Sequence, residues 1–126
     1  MRDVSGKGLL NGRWAGVVDT VGGDLLDSAI RHTKLEGAVA CCGNIISSDL
    51  HTSIYPFILR GVALIGINSA FTPMSVRLKV WEMLAREWKL DNLERMSTEV
   101  SLEGLDKYID LILKGGVRGR VFVKVS

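Results

Sequence analysis

The sequence has no long hydrophobic run, no large surplus of charge of one sign and only two cysteines. Its uninterrupted apolar runs span a few residues, far short of the ~20 that cross a bilayer. The first eight residues contain no apolar segment of signal-peptide length, which predicts a cytoplasmic protein with no membrane association. Sixteen Lys and Arg against 14 Asp and Glu give a formal net charge of +2. Because the signs are interleaved rather than gathered in a basic stripe, nucleic acid is not expected as a partner.

Cys41 and Cys42 are adjacent inside an apolar run. Successive side chains of a strand point to opposite faces, so a disulfide between them would be strained. A soft metal could bind such a pair, but neither a second cysteine pair nor a nearby histidine completes a metal site. We therefore predict no metal site and two buried thiols that pack as small hydrophobic groups.

Apolar residues are more abundant than a free-standing domain requires. The length of 126 residues fits one domain. With glycine counted and tyrosine left out, about 56 % of the residues are apolar, against roughly 45–50 % in typical globular chains. Disorder is excluded, and a sizeable core is available.

Three short apolar runs, at 15–21, 37–42 and 62–67, predict strands. None alternates apolar with polar residues, which is typical of parallel strands buried on both faces. Val17 and Val39 are 22 residues apart, and Ile65 follows Val39 by 26, which suits strand-helix-strand crossovers. The fold class is therefore α/β with a parallel sheet.

The predicted helices span residues 24–34, 54–60 and 72–89. Asp24 is the expected N-cap of the first helix, and Pro56 and Gly61 suit the start and end of the second. The third carries an apolar stripe that should be buried. The stripe consists of Leu78, Trp81, Ala85 and Trp88.

The last thirty residues predict a separate strand-helix-strand tail. A strand at 96–100 is followed by a helix that Ser101 should cap and that Gly115-Gly116 should end. A closing strand covers residues 120–125.

Candidate binding residues follow the predicted strands, because ligands of open parallel sheets bind outside the strands' carboxyl ends. The three loops are Asp19–Gly23, Cys42–Asn44 and Asn68–Ala70. Glycines there would let a ligand approach the backbone, and Asn and Ser side chains would bond to it. The same residue types are also those of ordinary turns, so both interpretations stay open.

Three polar residues have competing interpretations. Asp19 could hold a ribose hydroxyl, but capping of a turn is favoured. His32 suits the end of a helix, and His51 lies in a polar loop. Neither histidine has a Ser or Cys partner in sequence that would specify a catalytic triad, so we predict no catalytic residue.

The glycines near the N-terminus do not form a phosphate-binding motif. Gly6, Gly8 and Gly12 follow no strand and cannot make the strand-to-helix turn of a dinucleotide site. No Walker sequence occurs either.

Five segments together resemble the medium-chain dehydrogenase/reductase superfamily. They are RWAGVVDTVGG at 13–23, GAVACCGN at 37–44, SIYPFILRGV at 53–62, GINS at 66–69 and VRGRVFVKV at 117–125. In combination they are similar to the zinc-independent quinone oxidoreductase branch related to acrylyl-CoA reductases.

The resemblance implies that the chain contains parts of two domains. Residues 1–13 would be an N-terminal lead-in, 14–90 the C-terminal half of a Rossmann cofactor-binding domain, and 96–126 a returning segment of a GroES-like catalytic domain. The glycine fingerprint and most of the catalytic domain would precede Met1. The isolated chain is therefore expected to be inactive or nearly so.

The resemblance also implies a cofactor, NADPH, and residues that contact it. Val21 and Gly22 would lie near the adenosine side. The nicotinamide side would be lined by Cys42, Gly43, Asn44, Ile67, Asn68 and Ser69, and Arg120 would reach the cofactor or the substrate.

Two functions remain open. The first is part of an NADPH-dependent oxidoreductase that reduces quinones or activated alkenes such as enoyl-CoA esters by hydride transfer. The second is a non-enzymatic α/β assembly module. The resemblance implies a homodimer or larger species paired through the strand at 62–67, which would be an exposed template for strand pairing.

Overall fold

The computed structural model describes residues 5–125, and this part of the chain forms two compact units. The first unit ends at Thr72 and the second begins at Pro73.

The first unit is a three-stranded parallel sheet with two crossover helices, which confirms the α/β prediction. The strand order is β1-β2-β3, the same as the order in sequence. The elements are β1 at Trp14–Asp19, α1 at Gly23–Arg31, β2 at Thr33–Cys41, α2 at Tyr55–Arg60 and β3 at Ala63–Gly66.

The core lies between the two helices and one face of the sheet. Its fully or nearly fully buried members are Leu26, Ile30, Val39 and Val62. The prediction that all three strands are buried on both faces is wrong for β1 and β3, since Val18 is 76 % and Ile65 is 47 % exposed. Two crossovers of the same hand that step in the same direction place both helices on one face, so no helix formed by residues 5–72 covers the other face.

Helix α1 is shorter than predicted because β2 begins early. The Thr33 hydroxyl donates to the Ala29 carbonyl at 2.8 Å, and the helix ends at Arg31 rather than residue 34. Gly37 is the site of an irregularity within β2, next to Glu36, which has a positive φ of 56°. The N-cap is Gly22, not Asp24, and it makes no side-chain capping bond.

Helix α2 agrees with its predicted signals. Pro56 lies in the first turn, where its missing N–H costs nothing. Gly61 closes the helix in the left-handed conformation with φ 59°.

The second unit contains a two-stranded parallel sheet, which confirms the strand-helix-strand tail. Its elements are α3 at Met74–Ala85, a short 3-10 helix at Glu94–Met96, β4 at Ser97–Ser101, α4 at Leu105–Leu113 and β5 at Arg120–Lys124.

Helix α3 differs from its prediction in length and burial. It begins after Pro73, ends at Ala85 rather than residue 89, and has no buried residue. Trp81 and Trp88 are 68 % and 52 % exposed, so the predicted buried stripe is wrong for the described residues. Apolar residues occur around much of this helix and are not confined to one narrow face.

Ser101 does not cap α4, because it is the last residue of β4 and the N-cap is Gly104. The Ser101 hydroxyl instead hydrogen-bonds the Glu103 carboxylate. That bond, with a second from the backbone of Glu103 itself, lowers the pKa of this exposed carboxyl group. Within residues 5–125, no helix is both long and apolar enough to cross a membrane.

Candidate functional site

The three parallel strands of the first unit end side by side. Asp19 pairs with Cys41, and Cys41 pairs with Gly66. The loops that follow therefore start at one edge of the sheet, where open α/β sheets bind ligands. We call this the carboxyl edge, and it consists of residues 19–23, 41–47 and 66–69.

Asp19 ties the first loop of the carboxyl edge to its own strand. Its side chain is buried, and Oδ2 accepts a hydrogen bond from the Gly22 backbone N–H at 3.0 Å. The Cys41 thiol lies 3.8 Å from the same oxygen. Of the two interpretations of Asp19, the structure shows the turn cap.

The first two loops are hydrogen-bonded to each other beyond the ends of their strands. The Ile46 N–H donates to the Val21 carbonyl at 2.9 Å, and Ile45 N–H donates to Thr20 at 3.5 Å. An isolated parallel bridge joins Gly22 to Ser47. The two loops thus form one continuous backbone surface.

Gly22 and Gly43 are required by this packing. Gly22 has φ 74°, and a Cβ there would collide with the Ser47 carbonyl oxygen. A Cβ on Gly43 would lie 2.9 Å from the Thr20 carbonyl carbon. The absent side chains thus make room for a neighbouring loop, and close approach of a ligand at these glycines stays a prediction.

The third loop carries Ile67, Asn68 and Ser69, all exposed. Ile67 N–H donates to the Cys41 carbonyl at 2.9 Å, which extends the β2–β3 ladder to the edge. Asn68 Oδ1 accepts from the Phe71 N–H at 3.3 Å. The Asn68 side chain is thus partly engaged in its own turn.

The carboxyl edge brings together all the predicted cofactor-contacting residues except Arg120. Arg120 belongs to the second unit, where it is the first residue of β5 and pairs with Ser97. At the carboxyl edge, Asn44, Asn68 and Ser69 are exposed. Amide and hydroxyl side chains both donate and accept hydrogen bonds, which fits ribose and carboxamide groups.

The structure places the two thiols at the carboxyl edge and His32 at the end of α1. Cys41 is half-buried and Cys42 exposed, so burial of both thiols is wrong; the Cys42 Sγ sits 3.3 Å from the Asp19 carbonyl oxygen, at the rim of the edge. His32 caps the end of α1, with Nδ1 2.8 Å from the Ser28 carbonyl. Over residues 5–125, no three His, Cys, Asp or Glu side chains form a set that could hold a metal ion.

Sequence reasoning missed the pairing of residues 44–47 with residues 20–22. An Asp three residues before a glycine is a recognisable turn signal, and the Asp19–Gly22 bond could have been inferred from it. No comparable signal marks Ser47, whose bridge to Gly22 depends on the path of a long loop.

No protein-family model matches the chain. Individual proteins do. YhfP of Bacillus subtilis, a provisionally named quinone oxidoreductase, is 41 % identical over 120 residues, which are 94 % of this chain and 36 % of YhfP. The acrylyl-CoA reductase AcuI of Ruegeria pomeroyi is 42 % identical over 113 residues, 90 % of this chain and 34 % of AcuI. The chain thus spans about a third of the length of the relatives it matches.

Solved structures give the same result for the fold. The crystal structure of YhfP with NAD bound has a TM-score of 0.81 at 40 % identity, covering 98 % of this chain and 38 % of the other. Escherichia coli YhdH with bound NADPH has a TM-score of 0.81 at 32 % identity, covering 97 % of this chain and 38 % of the other.

Proposed function

Because this chain belongs to the medium-chain dehydrogenase/reductase superfamily, in the branch of quinone oxidoreductases and acrylyl-CoA reductases, we propose that it is the C-terminal part of an NADPH-dependent oxidoreductase. The substrates would be quinones or activated alkenes such as enoyl-CoA esters. Residues 14–90 would complete the cofactor domain and 96–126 the catalytic domain. Helix α3 belongs to the second compact unit together with the tail, but the resemblance assigns it to the cofactor domain.

The observation that carries the proposal is the alignment of three loops on one edge. The Asp19–Cys41–Gly66 register supports a single site made from residues far apart in sequence. Two relatives of the same fold carry NAD or NADPH in their crystal structures, which supports a nicotinamide nucleotide as the ligand of this edge.

The residues of the carboxyl edge would bind and orient the nucleotide. Val21 and Gly22 would lie on its adenosine side, and the loops at 42–44 and 67–69 on its nicotinamide side. Arg120 would contact the cofactor or substrate. When bound, NADPH supplies the hydride, and we assign no catalytic acid, base or metal ligand to this chain.

The proposal predicts weak binding and no turnover by the 126-residue chain, since the pyrophosphate-binding glycine turn is not among its motifs. NMR of the 15N-labelled chain detects complexes with a Kd of roughly 1 mM. We expect NADPH to shift the backbone amide signals of the carboxyl edge. Robust turnover by the chain alone would contradict its proposed incompleteness.

The two halves of the cofactor test the assigned orientation. 2′,5′-ADP should shift the amides of Val21 and Gly22, and nicotinamide mononucleotide those of Gly43, Asn44 and Ser69. The amide of Gly61, at the end of α2, serves as an internal control. No shift at the carboxyl edge with NADPH would refute the proposed site.

A second function is favoured by the position of β3. It is an edge strand of the first unit's sheet, and Leu64, Ile65 and the following Ile67 are 37–47 % exposed. Exposed apolar edge strands are templates for pairing with another chain. We propose that two copies pair through residues 62–67, with or without an enzymatic role.

Light scattering tests the pairing. Wild type should be a dimer or larger, and Ile65→Lys should dissociate it because two like charges would meet at the interface. Leu35→Lys, at another exposed apolar position of the same sheet, should leave the assembly intact. A wild-type monomer at high concentration would exclude this pairing, and NADPH-induced shifts would exclude a purely structural module.

A cytoplasmic location stays a prediction.

A further inference from the structure

Asp19 is a buried acidic residue that contacts both of the hydrogen-bonded loops of the carboxyl edge. The residue is 6 % exposed, so it is nearly closed off from solvent and from any ligand on the surface. Among residues 5–125, no Lys or Arg forms an ion pair with it. A buried carboxylate with few donors is costly, and such groups are commonly kept where function needs them.

The side chain of Asp19 holds the first loop. Oδ2 accepts from the Gly22 N–H at 3.0 Å, which closes the turn that carries Val21. Gly22 has a φ of 74° and directly precedes α1. The position of Val21 thus depends on the hydrogen bond that the Asp19 carboxylate accepts from the Gly22 N–H.

The backbone of Asp19 holds the second loop. Its carbonyl accepts from the Cys42 N–H at 2.9 Å and lies 3.3 Å from the Cys42 Sγ. The next residue, Thr20, packs against Gly43 so closely that a Cβ on Gly43 would overlap its backbone. One residue therefore contacts both loops, through its carboxylate and through its main chain.

We propose that Asp19 is the positioning residue that sets the adenosine-side loop relative to the nicotinamide-side loop, so that both reach the same nucleotide. Asp19 touches neither the cofactor nor the substrate and acts through Gly22 and Cys42. This inference rests on the proposed function.

The test compares Asp19→Ala, Asp19→Asn and Thr33→Val in the full 126-residue chain. Ala removes the acceptor for the Gly22 N–H, whereas the Asn carbonyl oxygen replaces it. Thr33 is fully buried, and its hydroxyl bond to Ala29 lies at the opposite end of β2. Thr33→Val is thus a matched control for the loss of one buried hydrogen bond.

We expect Asp19→Ala to weaken NADPH binding at least fivefold. The Kd is measured from the shifts of the backbone amide signals. The same variant should also speed hydrogen exchange of the Ile46 amide, which bonds to Val21. Asp19→Asn should restore both within twofold. Thr33→Val should lower the melting temperature without changing either readout, which separates positioning from general stability.

The outcomes distinguish the two proposals. If wild type shows no NADPH-induced shift, the proposed function fails and this role for Asp19 fails with it. If wild type binds and Asp19→Ala binds equally well, only the role of Asp19 is overturned. Equal weakening by Asp19→Ala and Thr33→Val would also overturn it, because loss of stability alone would then explain the effect.

Discussion

The guanidinium of Arg60 donates a hydrogen bond to the main-chain carbonyl of Leu10, fifty positions earlier in the chain, at 2.6 Å. Its other terminal nitrogen donates to the carbonyls of Thr33 and Arg31 at 2.9 and 3.2 Å. A side chain at the end of α2 thereby connects the end of α1, the start of β2 and the N-terminal lead-in. Three main-chain carbonyl oxygens accept these hydrogen bonds, so the arrangement needs no acidic side chain.

Arg60→Lys is expected to destabilise the first unit by about 1–2 kcal/mol, because an ammonium group cannot reproduce the rigid fork of donors and leaves a partly buried carbonyl unpaired. Urea unfolding followed by circular dichroism measures the change. Arg118→Lys, at an exposed position, should stay within about 0.5 kcal/mol of wild type. Equal stability of the two variants would contradict the role of Arg60.

Glu36 is the only described non-glycine residue with positive φ, at 56°. Glu36→Gly should therefore stabilise the chain by about 0.5–1 kcal/mol, since the left-handed region costs an L-residue roughly 1–2 kcal/mol and glycine's added entropy offsets part of the gain. Glu36→Ala, which keeps the steric penalty, is the control. A melting temperature of Glu36→Gly no higher than that of Glu36→Ala would refute the prediction.

The sequence predicted elements well where a local signal decides them. Pro56 and Gly61 fixed the ends of α2, and the apolar runs placed β1 to β3 within a few residues. The early start of β2 at Thr33 was missed because Gly37 reads as a helix end, whereas in the fold it belongs to an irregular strand.

Burial was predicted less well, because it depends on what covers an element. Val39 is fully buried beneath helices α1 and α2, yet Val18 in a similar apolar run is exposed. The candidate site was likewise predicted only in part. Strand ends indicated which residues would meet, but the pairing of Ile46 with Val21 depends on tertiary contacts.

The pH dependence of Glu103 should report its hydrogen bond with Ser101. That bond lowers the pKa of Glu103 in the folded chain, so its stabilising effect is present above the ordinary carboxyl pKa and is lost as pH falls through the lowered value. In Ser101→Ala, the Glu103 pKa should rise toward its usual value, as measured by NMR titration of the side-chain carboxyl carbon.

Ser97→Ala is the matched control for Ser101→Ala. The Ser97 hydroxyl donates to the Leu93 carbonyl at 2.9 Å and not to a carboxylate, so its loss should leave the Glu103 titration unchanged. An unchanged Glu103 pKa in Ser101→Ala would show that the hydroxyl is not the main cause of the shift.

Gly43→Ala tests the close contact between the two loops of the carboxyl edge. The added Cβ would overlap the Thr20 backbone, which cannot move without disturbing β1, so we expect a loss of about 1–3 kcal/mol. Hydrogen exchange should accelerate at the Ile45 and Ile46 amides, whose acceptors are in the first loop.

Gly66→Ala is the control, because nothing lies within 4 Å of a Cβ there. It should be neutral or slightly stabilising, since glycine weakens a strand. If both variants unfold at the same urea concentration and exchange alike, the loops do not pack as closely as the Gly43–Thr20 contact requires.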